Sequence, residues 1–78
     1  MSQEKYVSGN FVETVADIGR LVRLERKRRN LTQADFAMLV GVGRRFVIDL
    51  ERGKETVEAG KMMTVLVQCG LTVSIRRE

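Results

Sequence analysis

Apolar residues along this chain recur at helical spacing in four separate stretches. Val15, Ile18, Leu21 and Val22 follow a three-to-four step that continues into the stem of Glu25 or Arg26, which gives a helix one face for a core. Phe36, Ala37 and Val40 make a second stripe, Val47 and Leu50 a third, and Met62, Val65, Leu66 and Cys69 a fourth. Beyond Gly70 the period changes. Leu71-Thr72-Val73-Ser74-Ile75 alternates apolar and polar, the pattern of a half-buried strand.

Capping residues bracket these stripes. Thr14 with Asp17 three positions on forms a capping box, so the first helix begins after Thr14 and runs to about Arg29. Asn30 suits a left-handed terminus, and Lys27, Arg28 and Arg29 favour the negative end of the helix dipole. Thr32 and Asp35 come close to a second capping box. Gly41 ends that helix, Val42 is an apolar plug, and a third helix runs from Gly43 or Arg44 to Arg52, with Gly53 as its stop. Lys54-Glu55-Thr56 reads as a connection, with Thr56 capping a helix from about Val57 to Gln68. Gly60 inside it either weakens it by roughly 1 kcal/mol relative to Ala or allows close packing.

The ends are less regular. Tyr6-Val7 and Phe11-Val12 flank the turn-forming Ser8-Gly9-Asn10, which is compatible with a frayed arm or a short strand. The chain thus divides into an arm over 1–12, a helical domain over 13–70 and a strand with its tail over 71–78. A lone strand leaves backbone groups unpaired and needs a neighbour. Tyr6-Val7 is one candidate, and the same strand of a second copy, closing a two-fold homodimer, is the better one.

Composition narrows the reading. With 78 residues and 44% hydrophobic content, there is room for one small core, which dimerisation would reinforce. No membrane span or secretory signal is legible, so a cytoplasmic protein is expected. Cys69 is the single cysteine and there is no histidine, which argues against a disulfide or zinc site within one chain. Cys69 reads as a small buried side chain. No acid–base pair or phosphate-cradling loop appears, so neither an enzyme nor a cofactor is expected. The net charge is +4, and its distribution says more. Arg20, Arg23, Arg26, Lys27, Arg28 and Arg29 fall within ten residues, opposed only by Glu25. Arg44, Arg45, Arg52 and Lys54 follow. Such a run is either a solvated face or the footprint of a polyanion.

Two short helices joined by a Gly-bearing turn form the helix-turn-helix layout, whose second helix can lie in the DNA major groove. Leu31-Thr32-Gln33, Gly41-Val42-Gly43 and Leu50-Glu51-Arg52-Gly53 resemble the phage-repressor-like (Cro/C1, XRE) family across about residues 14–71. The segment from Gly41 to Glu51 looks most like small HipB-type antitoxins. The resemblance implies a mainly α, lambda-repressor-like bundle of four to five helices, with the short C-terminal strand used in dimerisation.

It also implies roles. Arg26 would pair with Glu51 as a structural ion pair, with a phosphate contact as the alternative for Arg26. Gln33 would anchor the domain to phosphate and brace the recognition helix, while Thr32 and the backbone N–H of Gly43 are further phosphate donors. Arg44, Arg45 and Asp49 stand where the family reads bases. Arginine suits guanine O6 and N7, and Asp49 either accepts from cytosine N4, orients Arg45, or is a surface charge pairing locally. Ile48 is expected to be exposed and able to meet a thymine methyl, whereas Phe46 packs. Gly43 stands where the family usually has Ser or Thr, which removes a hydroxyl, and Asp49 adds negative charge.

The function so implied is a homodimeric, sequence-specific repressor that binds an inverted-repeat operator in double-stranded DNA and restrains a HipA-like kinase toxin. The alternatives are a stand-alone phage-type or host regulator, and an interaction module that never binds DNA.

Overall fold

The computed structural model describes residues 12–74, and these form four helices. α1 spans Val15–Arg28, α2 Gln33–Val40, α3 Arg44–Glu51 and α4 Ala59–Gln68. No fifth helix and no strand occur among the described residues.

Local chemistry sets each boundary. Asp17 N donates to Thr14 Oγ1 at 3.1 Å, and Thr14 N donates back to Asp17 Oδ2 at 3.1 Å, completing the capping box of α1. At α2 Asp35 N donates to Thr32 Oγ1 at 3.0 Å. Between these helices Asn30 takes φ +59°, a left-handed conformation that a non-glycine residue tolerates best when it is Asn. Gly41 ends α2 at φ +83°, its N–H returning to Ala37 O at 2.9 Å.

The last helix departs from expectation. It starts after Glu58, whose Oε1 accepts from Lys61 N at 2.8 Å, and Thr56 lies exposed in the preceding turn. The longer Glu58 side chain folds back to do the capping that Thr56 was expected to do, while Val57 packs against the core. Gly60 is not a close-packing site. It is exposed, and a Cβ there would meet only the flexible Glu58 carboxylate, at 3.0 Å.

The stripes converge on one core of Val22, Phe36, Ala37, Val40, Val47, Leu50, Val65, Leu66 and Cys69. α3 packs on both α1 and α2, and α2 packs against α4. Burial raises the Cys69 thiol pKa, as expected for a side chain that acts as packing. After α4, Leu71 N donates to Leu66 O at 2.9 Å and Leu71 rests on the core. The strand expected over 71–75 is not formed by 71–74, which are irregular, and Ile75 lies outside the described residues. Alternation marks a face, but a ladder also needs a second strand to receive its backbone groups. The arm expected over 1–12 lies, except for Val12, outside the described residues as well.

Two carboxylates on α1 are held in their charged form by hydrogen bonds and neighbouring arginines. Asp17 is lowered to about 2, first by the Glu13 backbone N–H and then by Arg20. Glu25 is lowered to about 2, first by Arg28 and then by Arg29. Both folded values lie below the usual carboxylate range, so the stabilisation is complete above about pH 5 and is lost as pH falls toward about 2. An acid titration followed by circular dichroism should therefore show helix loss across that window, smaller in high salt. A flat trace between the two limits would refute it.

Candidate nucleic-acid interface

The geometry of α3 follows from which of its residues the core claims. Val47 and Leu50 are fully buried and fix one edge of the helix against α1 and α2. That leaves Arg44 and Arg45 exposed on its first turn, following the N-cap Gly43, which makes no side-chain capping bond. Phe46 is half-buried against the core, as expected. Ile48 is half-buried rather than exposed, though it is not among the side chains that pack on the core. Space at Gly43 is open, since a Cβ there would meet nothing within 4 Å. The missing Ser or Thr hydroxyl is therefore not a steric necessity.

Asp49 sits one turn below Arg45. Arg45 Nε lies 3.2 Å from Asp49 Oδ1, and Lys54 Nζ lies 3.6 Å from Oδ2. Asp49 thus forms local ion pairs with both Arg45 and Lys54. The closest approach is through Nε, and the Arg45 side chain remains 72% exposed.

The other end of α3 is bolted to the rest of the domain. Arg26 Nε donates to Glu51 Oε2 at 2.7 Å and Nη2 to Oε1 at 3.0 Å, a bidentate pair with the side chains 11% and 4% exposed. Arg26 Nη1 also donates to Leu31 O at 2.8 Å. Gln33 Nε2 donates to Glu51 Oε1 at 3.2 Å. One carboxylate therefore joins α1, the start of α2 and the end of α3. Its hydrogen bonds raise the Arg26 pKa further. Thr32 is exposed, and while its oxygen caps α2, its O–H proton remains available to donate.

Residues 22–74 match the family model described as Helix-turn-helix. The chain belongs to the XRE-type helix-turn-helix family. It is also similar to a protein of Sinorhizobium fredii (strain NBRC 101917 / NGR234) described as "Uncharacterized HTH-type transcriptional regulator y4mF". The two are 48% identical over 64 residues, covering 82% of this chain and 84% of that protein.

In this helix-turn-helix, α2 and α3 are the two helices and 41–43 is the turn. The structure brings Thr32, Gln33, Gly43, Arg44, Arg45 and Asp49 onto these elements, with Arg26 and Glu51 beneath them. It also divides the basic run of α1. Arg28 and Arg29 both pair with Glu25, at 2.6 and 2.7 Å, and Arg20 pairs with Asp17 at 3.0 Å. Arg23 and Lys27 have no carboxylate partner among the described residues. The spacings Glu25-to-Arg28 and Glu25-to-Arg29, three and four along a helix, held that division in the sequence. No helix among the described residues is long and apolar enough to cross a membrane.

Proposed function

We propose that this helix-turn-helix protein is a DNA-binding transcriptional repressor that works as a homodimer on an inverted repeat and serves as the antitoxin to a HipA-like kinase. Its role is binding, not catalysis. One observation carries the DNA part: the two arginines that open α3 stand exposed while the opposite edge of the same helix is fully buried. A rod anchored in this way presents guanidinium groups at the depth of base edges. Thr32, Gln33 and the Gly43 N–H then take phosphate oxygens, and Ile48 offers the apolar part of its flank to a thymine methyl. The ion pair with Asp49 biases Arg45 toward one approach to its base.

The antitoxin part is supported by the likeness of Gly41 through Glu51 to HipB-type antitoxins. The dimer is supported by the sequence alone, through the apolar–polar alternation over 71–75 that a second copy could complete as a partner strand. A gel shift on the DNA upstream of the gene tests the proposal. Arg44→Ala and Arg45→Ala should each weaken specific binding by about 1–3 kcal/mol. Unchanged binding by both variants would remove the reading head. Copurification with a kinase encoded next door would bear on the antitoxin role, and its failure would leave a stand-alone regulator.

A further inference from the structure

A notch of about 360 Å³ opens beside the Arg26–Glu51 pair, lined by Arg23, Arg26, Lys27, Gln33, Glu51 and Arg52. Four cations line it against one carboxylate, and that carboxylate is already engaged by Arg26 and Gln33. Arg23 and Lys27 lie one turn apart on α1, and Arg52 joins them from the end of α3. All three are exposed and lack an acidic partner among the described residues. Like charges at this spacing repel each other across a helix face. Elsewhere on α1 the same problem is solved, by Glu25 for Arg28 and Arg29 and by Asp17 for Arg20. Here no acid does so.

The walls are charged or amide-bearing throughout, and the notch is open to one side. A small organic ligand would need apolar walls that enclose it. An anion running past the surface needs neither. Gln33, the first residue of α2, lines the notch, so these cations lie next to the start of the helix-turn-helix.

We infer that Arg23, Lys27 and Arg52 form a seat for the DNA phosphodiester backbone beyond the bases read by α3. The inference rests on the DNA-binding reading. It extends the contact from the two motif helices onto α1, so the duplex is gripped outside the groove that α3 enters. Such contacts carry no sequence information, add to affinity uniformly, and make binding steeply dependent on salt.

The test is a salt titration of binding to two duplexes, the upstream fragment and a random-sequence one, by fluorescence anisotropy. Arg23→Gln with Lys27→Gln should lower the slope of log affinity against log salt by about two on both duplexes. The wild-type advantage over this variant should then shrink about twelve-fold between 50 and 200 mM salt, as that slope requires. A control variant, Arg20→Gln with Lys61→Gln, removes the same formal charge away from the notch and should leave the slope near wild type. Inorganic phosphate alone should not raise the melting temperature of the wild type at equal ionic strength. An unchanged slope in the notch variant would overturn the seat. So would an equal fall in the control, since net charge alone would then account for it. Stabilisation by inorganic phosphate would also overturn it, in favour of a free-anion site. A wild type that binds neither duplex would overturn the DNA-binding reading itself.

Discussion

Glu51→Ala is expected to lower the stability of this domain by about 3–5 kcal/mol, the cost of leaving one member of a buried ion pair alone. Three donors lose their acceptor at once: Arg26 Nε, Arg26 Nη2 and Gln33 Nε2. Arg26 stays behind at 9% exposure, with only Leu31 O as a hydrogen-bond partner. A chain of 78 residues has a total stability of about 4–12 kcal/mol, so the loss removes a large share of it. Urea denaturation measures the loss as a fall in midpoint with little change in slope. A loss below about 1 kcal/mol, the level of an exposed pair, would show that the carboxylate is not a bolt.

The companion variant separates attraction from desolvation. Replacing both partners, Arg26→Met with Glu51→Leu, removes the charge and its hydration penalty together, and should cost far less than either single change. If the double variant were as unstable as Glu51→Ala, the pair would contribute net attraction rather than merely satisfying itself. Either variant of Glu51 also unfastens the end of α3 from α1 and α2. Residual folded protein should therefore bind DNA less well than its folded fraction predicts.

The helices were legible wherever the signal was local. Stripes such as Phe36, Ala37 and Val40, and the Thr14–Asp17 cap, depend on residues within one or two turns, and those contacts survive in the fold. The start of α4 was misplaced because Thr56 is the better cap by preference, whereas Glu58 is the one whose side chain reaches Lys61 N. The tail misled for a different reason. Alternation over 71–75 specifies which side of a strand is apolar and is silent about who pairs with it. Within the candidate site, the bases of α1 looked like one block in the sequence. Their division into paired, buried and unpartnered members depends partly on Glu25 nearby and partly on Glu51, twenty-five residues from Arg26. Only the first of these is visible in local spacing.

Gly19 is the residue that sequence reasoning passed over most completely, and Gly19→Ala is expected to destabilise the domain by about 3 kcal/mol, the upper part of the overpacking range. By propensity the change should help, since alanine in a helix interior is favoured over glycine by about 1 kcal/mol. The fold reverses that sign. Gly19 is buried, and a Cβ there would lie 2.0 Å from Leu50 O, 3.0 Å from Leu50 C and 3.1 Å from Glu51 Cα. These are backbone atoms of the last turn of α3, and they have no rotamer through which to escape. A neighbouring contact has the same character. Gly53 approaches Ala16, with a Cβ at Gly53 placed 2.8 Å from the Ala16 Cβ. Ala16 and Gly19 thus make a shallow seat on α1 that sets how deeply the end of α3 can settle. A methyl in that seat lifts the end of α3, strains the Arg26–Glu51 bond and tilts Arg44 and Arg45 at the other end. Urea titration and DNA affinity should therefore fall together in Gly19→Ala. Gly60→Ala supplies the contrast, because its Cβ would meet only a movable carboxylate, and its stability should stay within about 1 kcal/mol of wild type on the stabilising side. Should Gly19→Ala instead gain stability as its propensity suggests, the close approach of α1 to α3 would not be what sets the pose of the recognition helix.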